Sequence, residues 1–394
     1  MEDLKKVKTR IEFFCRNKVN AFSPTISPAP KSVERSEIES LYEGLKFFLD
    51  KGETELIIQQ KYMGSYCDIY LHRNLQETYL VSRNGYKIMH INLDEALQSL
   101  SQLHQKLDWE NVNFYIIQSE LMPWKILGEG LIDREFYGYL NAHQNHLQFL
   151  QTSPLYGKLE QVKSSENYLA FIADKETLDE KELKQKYPSH IIRQYQSVQR
   201  FEVQNLEEYQ KAIDIYQTQI NYFSRDTPIY FKPFNVLKIV YENGTEKIVN
   251  DNLSYTKIND DEFLHLKIAD DAALNEQYPE IEKWYKRLTE SLEEGVVIKP
   301  RKAFVKNLPP ALKVRNPNYL VMIYGVDFSW NLAHHIKRRK IDSKIKCSIN
   351  DWAINFEMLK VPYKSLGTEN YKMKNLAFDR IMGEEVENKL DSRL

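Results

Sequence analysis

The chain has 394 residues, room for roughly two or three modules, and 42% hydrophobic against 28% charged residues excludes wholesale disorder. A formal net charge of -2 excludes a global basic field, so any nucleic acid must be met by local basic patches. Three cysteines with no CxxC exclude a disulfide framework or a structural zinc site, and no apolar run is long enough for a membrane span or a signal peptide.

From these features a reducing cytoplasm is the expected setting. Residues 1–50 read as an N-terminal arm, with a basic start and a Pro/Ser stretch over 22–30, followed by a helix from about Ser36 to Asp50. Ser36 and Glu39 have capping-box spacing, and Ile38, Leu41, Leu45 and Phe48 repeat with helical period. Strand patterns dominate from Thr54 to about Trp124, with helix over 91–106 and a hairpin signal at Asn84-Gly85. Heptad-like spacing in 136–150 and 205–223 reads as a helical insertion over 131–224. Strands are expected again at 228–231, 236–240, 294–300 and about 311–324, with helix over 284–293. The reading is a mixed α/β protein whose core, 51–130 with 225–328, is built of antiparallel sheets, followed by a helical C-terminal module over 329–394.

The chain is organised around Lys61, which sits between two apolar runs at the start of a Gly64-Ser65 bend. Alone, Lys61-Tyr-Met-Gly64 is a weak signal, since about one such match is expected by chance in a lysine-rich chain. Its weight comes from the stretches downstream of it, in this order: Ser82-Arg83-Asn84-Gly85, Ser119-Glu120-Leu-Met-Pro-Trp124, Phe231-Lys-Pro-Phe234, Glu294-Gly-Val-Val-Ile-Lys-Pro300 and Ala311-Leu-Lys313-Val-Arg315.

That order resembles the motifs of covalent lysyl-adenylate nucleotidyltransferases. More narrowly, it is similar to the ligase domain of bacterial polynucleotide kinase-phosphatase-ligase (Pnkp) RNA repair proteins. Met63, the Glu120 to Trp124 run, Lys313-Val-Arg315 with Tyr319 to Gly325, and the closing Leu390-Asp-Ser-Arg-Leu394 carry the likeness, over Pro24 to Leu394. The resemblance implies the ligase core with a helical insertion and C-terminal module. It implies an ATP-dependent RNA ligase that forms lysyl-AMP and seals 5′-phosphate and 3′-hydroxyl RNA ends. Lys61 would be the nucleophile; Gln60, Arg83, Glu120, Phe234, Lys299 and Lys313 would bind nucleotide; Glu294 would hold Mg²⁺ or Mn²⁺. The kinase and phosphatase regions are absent, so a separate kinase-phosphatase and an RNA 2′-O-methyltransferase are expected as partners. The rival readings are a degenerate nucleotide- or RNA-binding scaffold, a DNA ligase, or a guanylyltransferase.

The chemistry explains the residue types. Attack on phosphorus needs a neutral amine, and an ordinary lysine titrates near ~10.4, so nearby cations must disfavour the ammonium. Lys313, Lys299, Arg83 or a bound divalent ion could supply that field, and the carboxylate of Glu294 suits a hard cation. Two positions depart from the family: Gln60 stands where similar proteins have Glu, and Tyr66 where they have Arg. An amide both donates and accepts, so Gln60 could pair with adenine N6 and N1. Tyr66 keeps a hydroxyl donor but no charge. His143 and His146 lack a nearby third ligand and read as surface residues. The basic run from His334 to Lys340 fits either a solvated helix face or a phosphate track.

Overall fold

The computed structural model describes residues 2–201, 205–253 and 263–384. Its strands are β1 (Ser27–Pro28), β2 (Glu55–Lys61), β3 (Ser65–His72), β4 (Tyr79–Ser82), β5 (Val112–Met122), β6 (Tyr230–Tyr241), β7 (Glu246–Ile248), β8 (Phe263–Lys267), β9 (Gly295–Pro300) and β10 (Leu312–Arg315). One sheet has the order β1-β10-β9-β2-β8 and the other β4-β3-β5-β6-β7; all pairings are antiparallel except β1 with β10. Successive strand residues face opposite ways. Leu56, Ile58, Val296, Ile298, Leu312 and Val314 therefore share one face and pack on the helices Leu41–Leu49 and Asp271–Glu290. Gln59, Lys61, Val297, Lys299 and Lys313 are left on the other face.

The second sheet packs Cys67, Ile69, Ile117 and Val236 against the helix Leu93–Lys106. Its opposite face continues from Tyr70 and Phe114 into a core shared by the N-terminal helix Glu2–Arg16 and the C-terminal helices Asp342–Leu359 and Tyr371–Met382. By compactness the chain divides into Met1–Asp133 with Thr218–Leu394, and Arg134–Gln217. The second unit is helical, with Phe171, Leu183 and Ile192 buried together. There His143 and His146 lie 2.6 and 3.1 Å from the Tyr209 hydroxyl, and no cluster of three metal-ligating side chains occurs among the described residues. No helix among them is long and apolar enough to cross a membrane.

Several elements differ from the sequence reading. The stretch after β10 is a helix, Pro317–Tyr324, because Asn316 caps it and Pro317 occupies its first turn. The two strands expected at 228–240 are one, β6, despite Pro233. The basic N-terminus is helical over Glu2–Arg16. Only a bridge at Lys87, with a bond from Ile88 N–H to Leu80, stands where the strand after the Asn84-Gly85 turn was expected. Leu390 to Leu394 lie outside the described residues.

The Ser36 and Glu39 capping box is also absent. Ser36 has φ 54°, and the helix starts instead at Ser40, whose hydroxyl accepts from Glu43 N–H. Glu39 is buried and accepts from the Arg315 and Arg339 guanidiniums and the Arg315 backbone N–H. Burial pushes the Glu39 carboxyl up, but these charges overcome it and hold it below its ordinary value. Arg339, from the basic run, is thus a structural residue. Glu39→Ala leaves the buried Arg315 without its carboxylate and is expected to cost about 3–5 kcal/mol, read from the denaturant midpoint. A loss under about 1 kcal/mol would show that the pair holds nothing together.

Candidate active site

Lys61 is the last residue of β2 and lies opposite Gly295, the first of β9. That register brings Glu294 beside it, and Lys61 Nζ donates to Glu294 Oε2 at 2.6 Å. Glu294 is 3% exposed. Gly295 also lets β9 lie close against β10. Its φ is +141°, and a Cβ there would lie 2.2 Å from the Val314 carbonyl oxygen. After Lys61 the chain crosses to the second sheet at Gly64, where a Cβ would sit 2.5 Å from Met122 Sδ and 2.8 Å from the Leu121 carbonyl.

The second sheet supplies the facing wall. Tyr66, Glu120 and Lys232 are cross-strand neighbours, as are Asp68, Gln118 and Asn235. Pairing jumps from Gln118 with Asn235 to Ser119 with Pro233, so Phe234 is the extra residue of a bulge. A bulge re-aims a side chain, which is why Phe234 and Asn235 both line the pocket instead of alternating. Arg83 follows β4 on the turn closed by Gly85.

A pocket of roughly 300 Å³ brings together Gln60, Lys61, Arg83, Glu120, Phe234, Glu294, Lys299 and Lys313. Among the lining residues that the sequence reading did not single out are Gln118, Asn235, Asn252 and Lys344. Gln118 was findable, lying two residues before Glu120 on the same strand face. Asn235 was not, because the bulge hides its direction. Lys344 belongs to the helix Asp342–Leu359, just past the basic run.

Burial governs the charges. It pulls Lys299 down to about 7; its ammonium donates to Gln59 Oε1 at 2.7 Å and stands 4.7 Å from the centre of the Phe234 ring. Lys313 is lowered well below the lysine range by burial, then by Arg315 and Lys61. Glu120 is raised to about 8, first by burial; Lys61 and Arg83 pull it down and Glu294 pushes it up. In the neutral range Glu120 is therefore largely a neutral acid that can donate a hydrogen bond. Tyr66 differs from the sequence reading: its hydroxyl donates to Asp68 Oδ1 at 2.6 Å and accepts from Gln118 Nε2 at 2.8 Å, so its donor is already used within the protein.

The pocket fits a nucleotide, with an aromatic face beside buried amino groups that gain by meeting phosphate. For a metal ion the fit is conditional. Among the described residues no three carboxylate, histidine or cysteine ligands converge, so Glu294 fits a divalent ion whose other ligands are nucleotide phosphates and water.

Two antiparallel sheets closing on a pocket with a strand-end lysine in its wall are the arrangement of the nucleotidyltransferase class of ligases. Residues 16–367 match the family described as PNKP adenylyltransferase domain, ligase domain, and the chain belongs to that family. A chain of the solved Pnkp1/Rnl/Hen1 RNA repair complex is 55% identical, with a TM-score of 0.93 and 99% of each chain covered. A chain of a second solved Pnkp1/Rnl/Hen1 complex is 54% identical, with a TM-score of 0.90 and again 99% of each covered. No curated protein matched in the sequence comparison.

Proposed function

We propose that this ligase is an ATP-dependent RNA ligase that works through a lysyl-AMP intermediate on Lys61. The observation that carries the reading is the convergence of eight residues, spread from Gln60 to Lys313, on one pocket with Lys61 in its wall. Lys61, as the neutral amine, attacks the α-phosphorus of ATP; a P–N bond forms, the bond to pyrophosphate breaks, and the amine proton passes to solvent. The RNA 5′-phosphate then takes AMP from Lys61, forming a phosphoanhydride. The RNA 3′-hydroxyl attacks the 5′-phosphate, making the phosphodiester and releasing AMP. Lys299 and Lys313 meet phosphate charge, Arg83 lies beside the nucleotide sugar and the RNA end, Gln60 and Phe234 hold the base, and Glu120 binds ribose hydroxyls. Glu294 would hold Mg²⁺ or Mn²⁺ together with the nucleotide phosphates, and that ion supplies charge neutralisation.

The similar chains come from Pnkp1/Rnl/Hen1 complexes, one of them for RNA repair. We extend that setting to this chain: a separate kinase-phosphatase makes the 5′-phosphate and 3′-hydroxyl ends, and a separate 2′-O-methyltransferase marks the RNA. Cys15, Cys67 and Cys347 are free thiols, in keeping with a reducing cytoplasm. The test is incubation with ATP labelled at the α-phosphate, followed by denaturation. Label must stay on the protein, and GTP must not compete. Absence of label would favour a degenerate scaffold, and label from GTP a guanylyltransferase.

The pocket lysine gives a pH prediction. Phosphate favours the ammonium of Lys299, so its pKa rises on binding from about 7 in the free site. ATP should bind best below about pH 7 and progressively less well as pH rises through and above it, by at most about tenfold per unit for each proton linked. Ionisation of Glu120 near pH 8 adds negative charge and acts in the same direction. Calorimetry at pH 8 in buffers of different ionisation enthalpy should show proton uptake; proton release would count against this account.

A further inference from the structure

Along the pocket wall a chain of hydrogen bonds runs in one direction. Asp68, Gln118 and Asn235 are in register on β3, β5 and β6, and Tyr66 lies two residues before Asp68 on the same face. Tyr66 Oη donates to Asp68 Oδ1 at 2.6 Å, Gln118 Nε2 donates to Tyr66 Oη at 2.8 Å, and Asn235 Nδ2 donates to Gln118 Oε1 at 3.0 Å. Asp68 is fully buried. Ionised, it can only accept, so Tyr66 must donate to it. Gln118 must then turn its NH₂ toward Tyr66 and its carbonyl toward Asn235, and Asn235 must give its NH₂ to Gln118. Two acceptors of the chain remain unmatched, Asp68 Oδ2 and Asn235 Oδ1, and of these two residues only Asn235 lines the pocket. Asn235 Oδ1 is buried and has no hydrogen-bond partner in the protein, although Asn235, 2% exposed, lines the pocket. A buried acceptor left unmatched is costly, so such an atom points to a ligand donor.

We propose that Asp68 and Tyr66 are positioning residues, which fix the amides of Gln118 and Asn235 so that Asn235 Oδ1 accepts a hydrogen bond from a donor of the bound nucleoside. The proposal rests on the reading that the pocket holds an adenine nucleotide. The donor is either the 6-amino group of the base or a ribose hydroxyl.

AMP binding, measured by calorimetry without metal at pH 8.5, where Asp68 is ionised, tests this apart from any chemistry. Asn235→Ala should weaken AMP binding about tenfold. Tyr66→Phe, which keeps the ring, and Asp68→Asn should each weaken it similarly, and neither should add to the loss in an Asn235→Ala background. Three analogues locate the donor: purine riboside monophosphate, 2′-deoxyAMP and 3′-deoxyAMP. The analogue lacking the recognised group should bind the parent and Asn235→Ala equally. Additive losses would mean that Tyr66 and Asp68 are merely structural, and would overturn the proposal. So would an unchanged Tyr66→Phe or Asn235→Ala protein, or a loss retained with all three analogues. Failure of the parent to bind AMP would overturn the nucleotide reading itself, and this proposal with it.

Discussion

Lys61→Arg is expected to abolish transfer of label from the α-phosphate of ATP to the protein while leaving the fold intact. Lys61→Ala should abolish labelling equally but is the less clean experiment. Lys61 Nζ pairs at 2.6 Å with Glu294, whose side chain is 4% exposed. Removing the cation leaves a buried carboxylate without it, which costs stability. Arginine keeps a positive charge for Glu294, yet its guanidinium stays protonated at any assay pH and cannot become the neutral amine that attacks phosphorus. Labelling lost in both variants, with the Lys61→Arg melting temperature near that of the parent, separates chemistry from folding. Persistent label in Lys61→Arg would move the nucleophile elsewhere and end the lysyl-AMP assignment.

Glu294→Gln carries the second large effect. In the structure Glu294 holds the Lys61 ammonium, so that contact must open before Lys61 can act. If Glu294 holds a divalent ion together with the nucleotide phosphates, as proposed, its carboxylate would no longer hold the Lys61 ammonium. An amide is a poor ligand for a hard cation. Label transfer by Glu294→Gln should fall about 10²–10³-fold, the loss typical of removing one preorganised electrostatic group. The Mg²⁺ or Mn²⁺ concentration for half-maximal labelling should rise. An unchanged metal titration would leave Glu294 as a partner of Lys61 and remove it as a metal ligand.

The structure also changes how Tyr66 should be understood. At the sequence level it reads as a weaker substitute for an arginine that touches the nucleotide. Its hydroxyl is instead committed to Asp68 and Gln118, and under the proposal above that hydroxyl acts on the ligand through Gln118 and Asn235. An arginine introduced there would meet the buried Asp68 before it met a nucleotide.

The amino-acid sequence alone named the candidate residues that the structure gathers in one pocket, and their order, because residue type and local spacing survive without coordinates: Lys61 before a Gly-Ser bend, Glu294 before a glycine-led strand, Lys313 in an Ala-Leu-Lys-Val-Arg run. Only the tertiary structure decided three things. It made Glu39 the buried partner of Arg315, 276 residues away, where local spacing suggested a helix cap. It turned the apolar run after Arg315 into a helix, since an Asn-Pro cap outweighs β-rich composition. And through the bulge at Phe234 it brought Asn235 into the pocket beside Gln118, because strand register and bulge position are set by pairing between distant segments, which no local pattern encodes.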